Sequence, residues 1–282
     1  MIQMKRMVYG ILLAASVGFI VPANANNNPD PKKFPSLLSS PSDAPVIRRA
    51  ADSLYNIIGL GMYGLEREVF FSAYKGLQYL DNQDKLKKPN LLTICDYSQS
   101  SNNKRLYVID VVNARLLYNT YVSHGKNSGH EFATRFSNIA NSNQSSLGFM
   151  VTAETYNGKA GYSMRFDGME RGINDKVRMR DIVFHGSRFV NENTMIDRGL
   201  IGNSLGCPAV PYGIHTRIIN EIKGGSCFYI HSADQLYART SSVLNARFDL
   251  EPEALAMQQN LPLQAEGNQL PVIQTGATLT HK

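Results

Sequence analysis

The hydrophobic period of the chain changes near Pro89, and that change divides it. Over 46–60 the apolar positions Val46, Ala50, Leu54, Ile57 and Ile58 recur at helical spacing; over 65–80 Val69, Phe70, Ala73, Leu77 and Leu80 do the same. Residues three and four apart share one helix face, so each run predicts a helix with a single buried stripe. Glycines between 59 and 64 separate the two. Beyond Pro89 β-branched and aromatic residues gather in short runs between polar turns. This pattern predicts strands over 91–97, 105–112, 115–123, 149–155, 161–166, 181–185 and 226–231. Asn113-Ala114 fits a hairpin turn, and 156–159 reads as another tight turn. Segments 125–146 and 167–180 read as loop and irregular connection, and 214–222 as a short helix ended by Gly224-Gly225. The pattern fades beyond about 239, where 254–259 suggests one more short helix. The expected fold is mainly β with accessory helices, a sandwich or barrel-like domain behind a helical N-terminal extension.

A different pattern marks the N-terminus. Lys5 and Arg6 precede an apolar run over 7–21, followed by Pro22-Ala23-Asn24-Ala25. A positive region, a short apolar region and a small-x-small site are the parts of a secretory signal peptide. The run is short for a span, which takes about 20 residues, although an uncleaved anchor is the alternative. The expected organisation is a signal peptide (1–25), a flexible leader (26–45), a helical extension (46–88), a catalytic domain (89–240) and a C-terminal tail (241–282). The expected location is periplasm or cell envelope, with no stable membrane span after cleavage.

Composition adds less. Apolar residues at 43% and charged residues at 18% are enough for a packed core. A net charge of +6 favours encounter with an anionic polymer. No basic block or nucleic-acid-reading motif is present, so nucleic acid is not an expected partner. Oligomeric state cannot be read. Three cysteines leave at least one thiol unpaired. A Cys95–Cys227 disulfide that leaves Cys207 free, and two buried free thiols, both fit.

The chemistry concentrates over 183–212. Cys207 stands between Gly206 and Pro208, in a turn where glycine allows an unusual backbone angle and proline stiffens the exit. Backbone N–H groups of such a turn suit a developing oxyanion. His185 ends the run Ile182-Val183-Phe184 beside Gly186, a position that commonly faces a cleft. A thiol and an imidazole brought within about 3 Å make a nucleophile and its base. An inert buried cysteine and a hydrogen-bonded structural histidine are the plain alternatives. Ser204 or a backbone carbonyl is the expected partner that orients the imidazole. His124, before Gly125, is a rival base or a wall residue facing substrate. His130 and His215 read as surface or capping residues, and His231 as a strand residue. No HExxH or CxxC spacing occurs, so neither metal nor organic cofactor is expected. Arg165, Arg171, Arg178, Arg180, Arg188 and Arg198 flank the region, as solvated residues or as partners of a substrate carboxylate.

His185-Gly186 followed by Gly202-Asn203-Ser204-Leu205-Gly206-Cys207-Pro208-Ala209 resembles the murein L,D-transpeptidase catalytic domain of YkuD-like fold, in its GCPA-type branch. Thr93 to Ser98, Tyr121 to Gly129, Ser145 to Gly148 and Gly168 to Asp175 extend the resemblance over about 91–231. It implies that Cys207 is the nucleophile and His185 its acid and base, with Ser204 and Gly206 completing the catalytic set. His124, Gly186, Arg198 and Asn203 are the expected substrate-facing residues. The broad family carries a second histidine and an arginine where this chain has Leu205 and Ala209. The resemblance further implies a thioester on Cys207 formed from a peptidoglycan stem peptide. A second stem resolves it into a 3–3 crosslink; the alternatives are L,D-carboxypeptidase or wall-peptide hydrolase action, or a binding module without turnover.

Overall fold

A computed structural model describes residues 44–248. The signal peptide and most of the leader, and the short helix expected over 254–259, lie outside these residues. Two helices open the described chain, α1 (Ala44–Ile58) and α2 (Arg67–Asn82), joined by a 3-10 turn at Leu60–Tyr63. On α2 the buried residues include Val69, Phe70, Ala73, Leu77 and Leu80, the stripe read from spacing. On α1 the stripe is rotated: Ile47, Ala50, Ala51 and Leu54 are buried, whereas Ile57 is 45% exposed. Burying side chains such as Phe70 and Leu77 contributes about 1.5–3 kcal/mol each, and this docks the helices on the sheet.

Eight strands form one mixed sheet: β1 (Lys88–Asp96), β2 (Leu106–Asp110), β3 (Arg115–Thr120), β4 (Gly148–Gly158), β5 (Gly161–Gly168), β6 (Val183–Ser187), β7 (Ala209–Pro211) and β8 (Ser226–His231). Their order is β3-β2-β1-β8-β4-β5-β6-β7. The pairs β1–β8 and β6–β7 are parallel and the others antiparallel. Bridges from Ser123 to Ala209 and from Gly125 to Ser204 join the chain beyond β3 to the β7 edge, closing the sheet into a near-barrel. The mainly β architecture with N-terminal helices is therefore the one expected from the pattern.

Several details differ from the sequence reading. The turn expected over 156–159 falls later, because Tyr156, Asn157 and Gly158 still pair with Ser163, Tyr162 and Gly161. Among the described residues three further helices follow β6: α3 (Glu192–Arg198), α4 (His215–Ile222) and α5 (Gln235–Thr240). Helix α3 has no buried residue and hence no apolar stripe to read. Its cap was the available signal, since the Asn191 side chain accepts from the Thr194 N–H. Past α5, Ser241 and Val243 are buried, so the described part of the C-terminal segment packs on the domain. Cys95 pairs in register with Ile230 and Cys227 with Leu92. The two thiols are thus three positions apart on neighbouring strands, beyond the reach of a disulfide. All three cysteines are free, which removes the Cys95–Cys227 alternative.

Candidate active site

Cys207 lies at the end of the turn that enters β7. Ser204 fastens that turn twice: its Oγ donates to the Cys207 carbonyl at 2.6 Å and accepts from the Gly206 N–H at 3.0 Å. Gly206 has φ +125°, in the region that favours glycine. A Cβ there would lie 2.8 Å from the Gln144 carbonyl oxygen and 3.0 Å from Ile182 Cδ1. The turn is also held from outside. The Ser204 N–H donates to the His124 carbonyl at 2.9 Å, and the Lys126 N–H to the Ser204 carbonyl at 2.8 Å. Ser145 Oγ donates to the Gly206 carbonyl at 3.2 Å and accepts from the Gly125 N–H at 3.0 Å. Ser145 drew notice in the sequence only as part of a Ser-Ser-Leu-Gly string; its role comes from tertiary contact.

The half-buried thiol faces the start of β6. The Val183 N–H donates to Sγ at 3.4 Å, and Sγ–H donates to the Asp181 carbonyl at 3.5 Å. Burial pushes the Cys207 thiol above its ordinary range, opposed by the Val183 N–H and the Arg180 charge, with Asp181 adding to the rise.

His185 sits two residues after Val183 on β6 and pairs in register with Ala209, two residues after Cys207. Its Nδ1 donates to the Gly186 carbonyl at 2.9 Å. A neutral ring held this way presents the Nε2 lone pair, so a backbone carbonyl rather than Ser204 orients the imidazole. Burial lowers the His185 pKa; the Gly186 carbonyl opposes this, and His215 adds to it. Gly186 has no room for a side chain, because a Cβ would lie 2.6 Å from Cγ of His215. His215, expected as a surface or capping residue, is buried at the first position of α4, and its Nδ1 donates to the Tyr212 carbonyl at 2.6 Å.

Beneath the turn lies a buried polar network. Arg105 is fully buried, donating to the Val122 and Gln99 carbonyls and, at 2.8 Å, to His124 Nδ1. Its guanidinium stacks 4.8 Å from the Tyr97 ring centre, and the Tyr97 hydroxyl donates to the Ser123 carbonyl at 2.8 Å. His124 Nε2 donates to the Gly129 carbonyl at 3.3 Å, so both ring nitrogens are engaged inside the protein. Burial, reinforced by the Arg105 charge, lowers the His124 pKa to about 4. Its place is thus under the turn; its main-chain carbonyl, not its ring, meets the turn that carries Cys207. Asn203 is exposed on that turn. Arg198, in the last turn of α3, is exposed and stacks 5.6 Å from the Phe189 ring centre, with no contact to Cys207. Leu205, where the broad family is polar, is 66% exposed. Among the described residues no group of histidine, cysteine and carboxylate side chains could hold a metal ion, and no helix is long and apolar enough to cross a membrane.

A mixed near-barrel sheet that presents a cysteine turn and a histidine on adjacent strands is the setting in which the comparisons fall. The chain belongs to the L,D-transpeptidase catalytic domain family (YkuD_2), whose model matches residues 62–231. The match begins upstream of the 91–231 stretch read from motifs and takes in α2. A comparison with curated proteins found no match. Among solved structures, the L,D-transpeptidase LdtMt1 in complex with imipenem aligns at 11% identity and a TM-score of 0.31, over 50% of this chain and 59% of that one. An L,D-transpeptidase from Mycobacterium smegmatis aligns at 11% identity and 0.31, over 51% and 59%. The avibactam carbamoyl enzyme of Ldtfm aligns at 12% and 0.31, over 51% and 50%. The chain thus spans between half and three-fifths of the length of these proteins.

Proposed function

We propose that this protein is a cysteine-dependent acyltransferase acting on peptidoglycan stem peptides, with Cys207 as nucleophile and His185 as acid and base. One observation carries the reading: Nδ1 of His185 is committed to the Gly186 carbonyl, which leaves Nε2 as the base on the strand that flanks the thiol. Family membership supports the acyl-transfer class.

The chemistry follows from these groups. As Sγ attacks the peptide carbonyl before a terminal D-alanine, its proton passes to Nε2. The developing oxyanion meets the Cys207 N–H, which donates to no protein acceptor among the described residues. The C–N bond then breaks, the imidazolium returns the proton to the departing amine, and a thioester remains on Sγ. The amine of a second stem peptide attacks that thioester and gives its proton to Nε2; the C–S bond breaks, Sγ leaves and takes the proton back from the imidazolium, and a 3–3 crosslink is formed. Ser204 and Gly206 hold the turn in place for both steps.

The GCPA-type branch, defined by Leu205 and Ala209 in this chain, belongs to the same reading. So do export through the 1–25 segment and the division into helical extension, catalytic domain and tail. Mass spectrometry of tetrapeptide-stem muropeptides after incubation with the purified protein tests the proposal. A crosslinked dimer is expected. A shortened tripeptide alone would make the protein a carboxypeptidase, and unchanged muropeptides would mark a binding module.

A further inference from the structure

Arg180 lies one residue before Asp181, whose carbonyl accepts from the thiol, and three before Val183, whose N–H donates to it. Its guanidinium reaches across to the 137–146 loop. One terminal nitrogen donates to Ser146 Oγ at 2.6 Å and to the Ser137 carbonyl; the other donates to the Gln144 carbonyl at 2.7 Å and to Ser142 Oγ at 3.1 Å. The Gln144 oxygen is the same atom that closes in on Gly206. Arg180 therefore ties the loop against the nucleophile turn.

Every acceptor of Arg180 is neutral. Among the described residues it has no carboxylate partner, and its Nε is buried without a hydrogen-bond acceptor. The nearby arginines differ: Arg178 pairs with Glu154 and Asp167 at 2.6 and 2.7 Å, and Arg165 with Asp181 at 3.1 Å. A half-buried guanidinium with no counter-ion is incompletely compensated, and such a charge stabilises an anion that forms beside it. The charges that act on Cys207 are those of Arg180 and Asp181, and His185 stands two residues after Val183, whose N–H meets Sγ. Asp181 is already paired with Arg165, and Ala209, which enters β7 beside the turn, carries no charge. The coupling is mutual: the Arg180 charge lowers the Cys207 pKa against burial, and Cys207 raises that of Arg180.

We propose that Arg180 is a positioning residue for Cys207: it fixes the nucleophile turn through the 137–146 loop and supplies the positive charge whose counter-ion is the thiolate. The proposal rests on Cys207 as nucleophile and adds the residue that favours its anionic form. When the proton leaves Sγ for His185 Nε2, the half-buried guanidinium gains its missing partner, and the imidazolium is not the only cation holding the anion in place.

The test is the pH dependence of Cys207 alkylation by iodoacetamide in wild type, Arg180→Gln and Arg180→Lys, with Cys207→Ala as the blank and circular dichroism as the fold check. Arg180→Gln is expected to alkylate about tenfold more slowly at neutral pH, with its midpoint moved upward, and Arg180→Lys to recover most of the loss. An unchanged midpoint in folded Arg180→Gln, or an equal shift in Arg180→Lys, would overturn the proposal. If Arg180→Gln does not fold, the wild type decides through its rates with iodoacetate and iodoacetamide. A cation beside Sγ raises the ratio of the anionic to the neutral reagent above that of a free thiol, and an equal ratio would count against it. Failure here with Cys207 still reactive leaves the acyltransferase reading intact. A Cys207 that resists both reagents at every pH would remove both.

Discussion

Ser204 Oγ donates to the carbonyl of Cys207 at 2.6 Å, so the residue three positions before the nucleophile holds its main chain directly. The same oxygen accepts from the Gly206 N–H at 3.0 Å. The sequence reading placed Ser204 in the catalytic set. The geometry makes it a staple of the turn, acting on the backbone and not on the imidazole.

Replacing Ser204 by Ala leaves the Gly206 N–H without its acceptor. The loss is expected to be about 1–3 kcal/mol of stability, together with a larger fractional loss of turnover because the turn carries Sγ. Ser204→Thr keeps the oxygen and is expected to keep most of both. Denaturant melts alongside muropeptide turnover check this, and a Ser204→Ala protein with wild-type turnover would deny the staple its role.

In the proposed mechanism, His185→Ala removes the base. Turnover is expected to fall by about 10²–10⁴ with little change in fold. The wild-type pH profile carries a second signature. Burial holds the His185 pKa below the ordinary histidine range, so the base stays neutral to lower pH and activity falls only as the pH drops through that depressed value. In His185→Ala this acid limb is expected to vanish from the residual rate. An acid limb that persists unchanged would assign it to another group.

His124 bears on stability. Its pKa is about 4 in the folded protein against 6.5 for an ordinary histidine. The unfolded chain therefore binds more protons between those values, and stability rises with pH across that window. The contribution is complete above about pH 6.5 and is lost as pH falls toward 4, about 3 kcal/mol in all. His124→Asn is expected to lower stability at neutral pH and to flatten this dependence. Melting temperatures from pH 4 to 7 read it, and parallel curves for the two proteins would contradict it.

Seven of the eight strands were legible because they bury apolar runs, and α2 because Phe70, Ala73 and Leu77 keep strict helical spacing; β7, three residues long and next to the cysteine turn, was not. Helix α3 was not, since it buries nothing and its sole signal was the Asn191 cap. Cys207 and His185 stood out because each sits beside glycine at the end of an apolar or turn segment. His124 looked like their equal in sequence, beside Gly125 at a strand end. Only the fold reveals that Arg105 and Gly129 occupy its ring. Ser145 and Arg180 were in view but not distinguished from their neighbours, for the opposite reason. They lie 62 and 27 positions before Cys207, and their partners come together only when the near-barrel closes. Leu205 was seen as a departure, but its exposure could not be read from the chain.

The central claim is that acyl transfer passes through Cys207 itself. Intact-protein mass spectrometry during incubation with a tetrapeptide stem measures this most directly. The expected result is an adduct of the tripeptide acyl group, mapped by digestion to Cys207 and absent from Cys207→Ala. An adduct on another residue, or crosslinked product formed by Cys207→Ala at the wild-type rate, would contradict it.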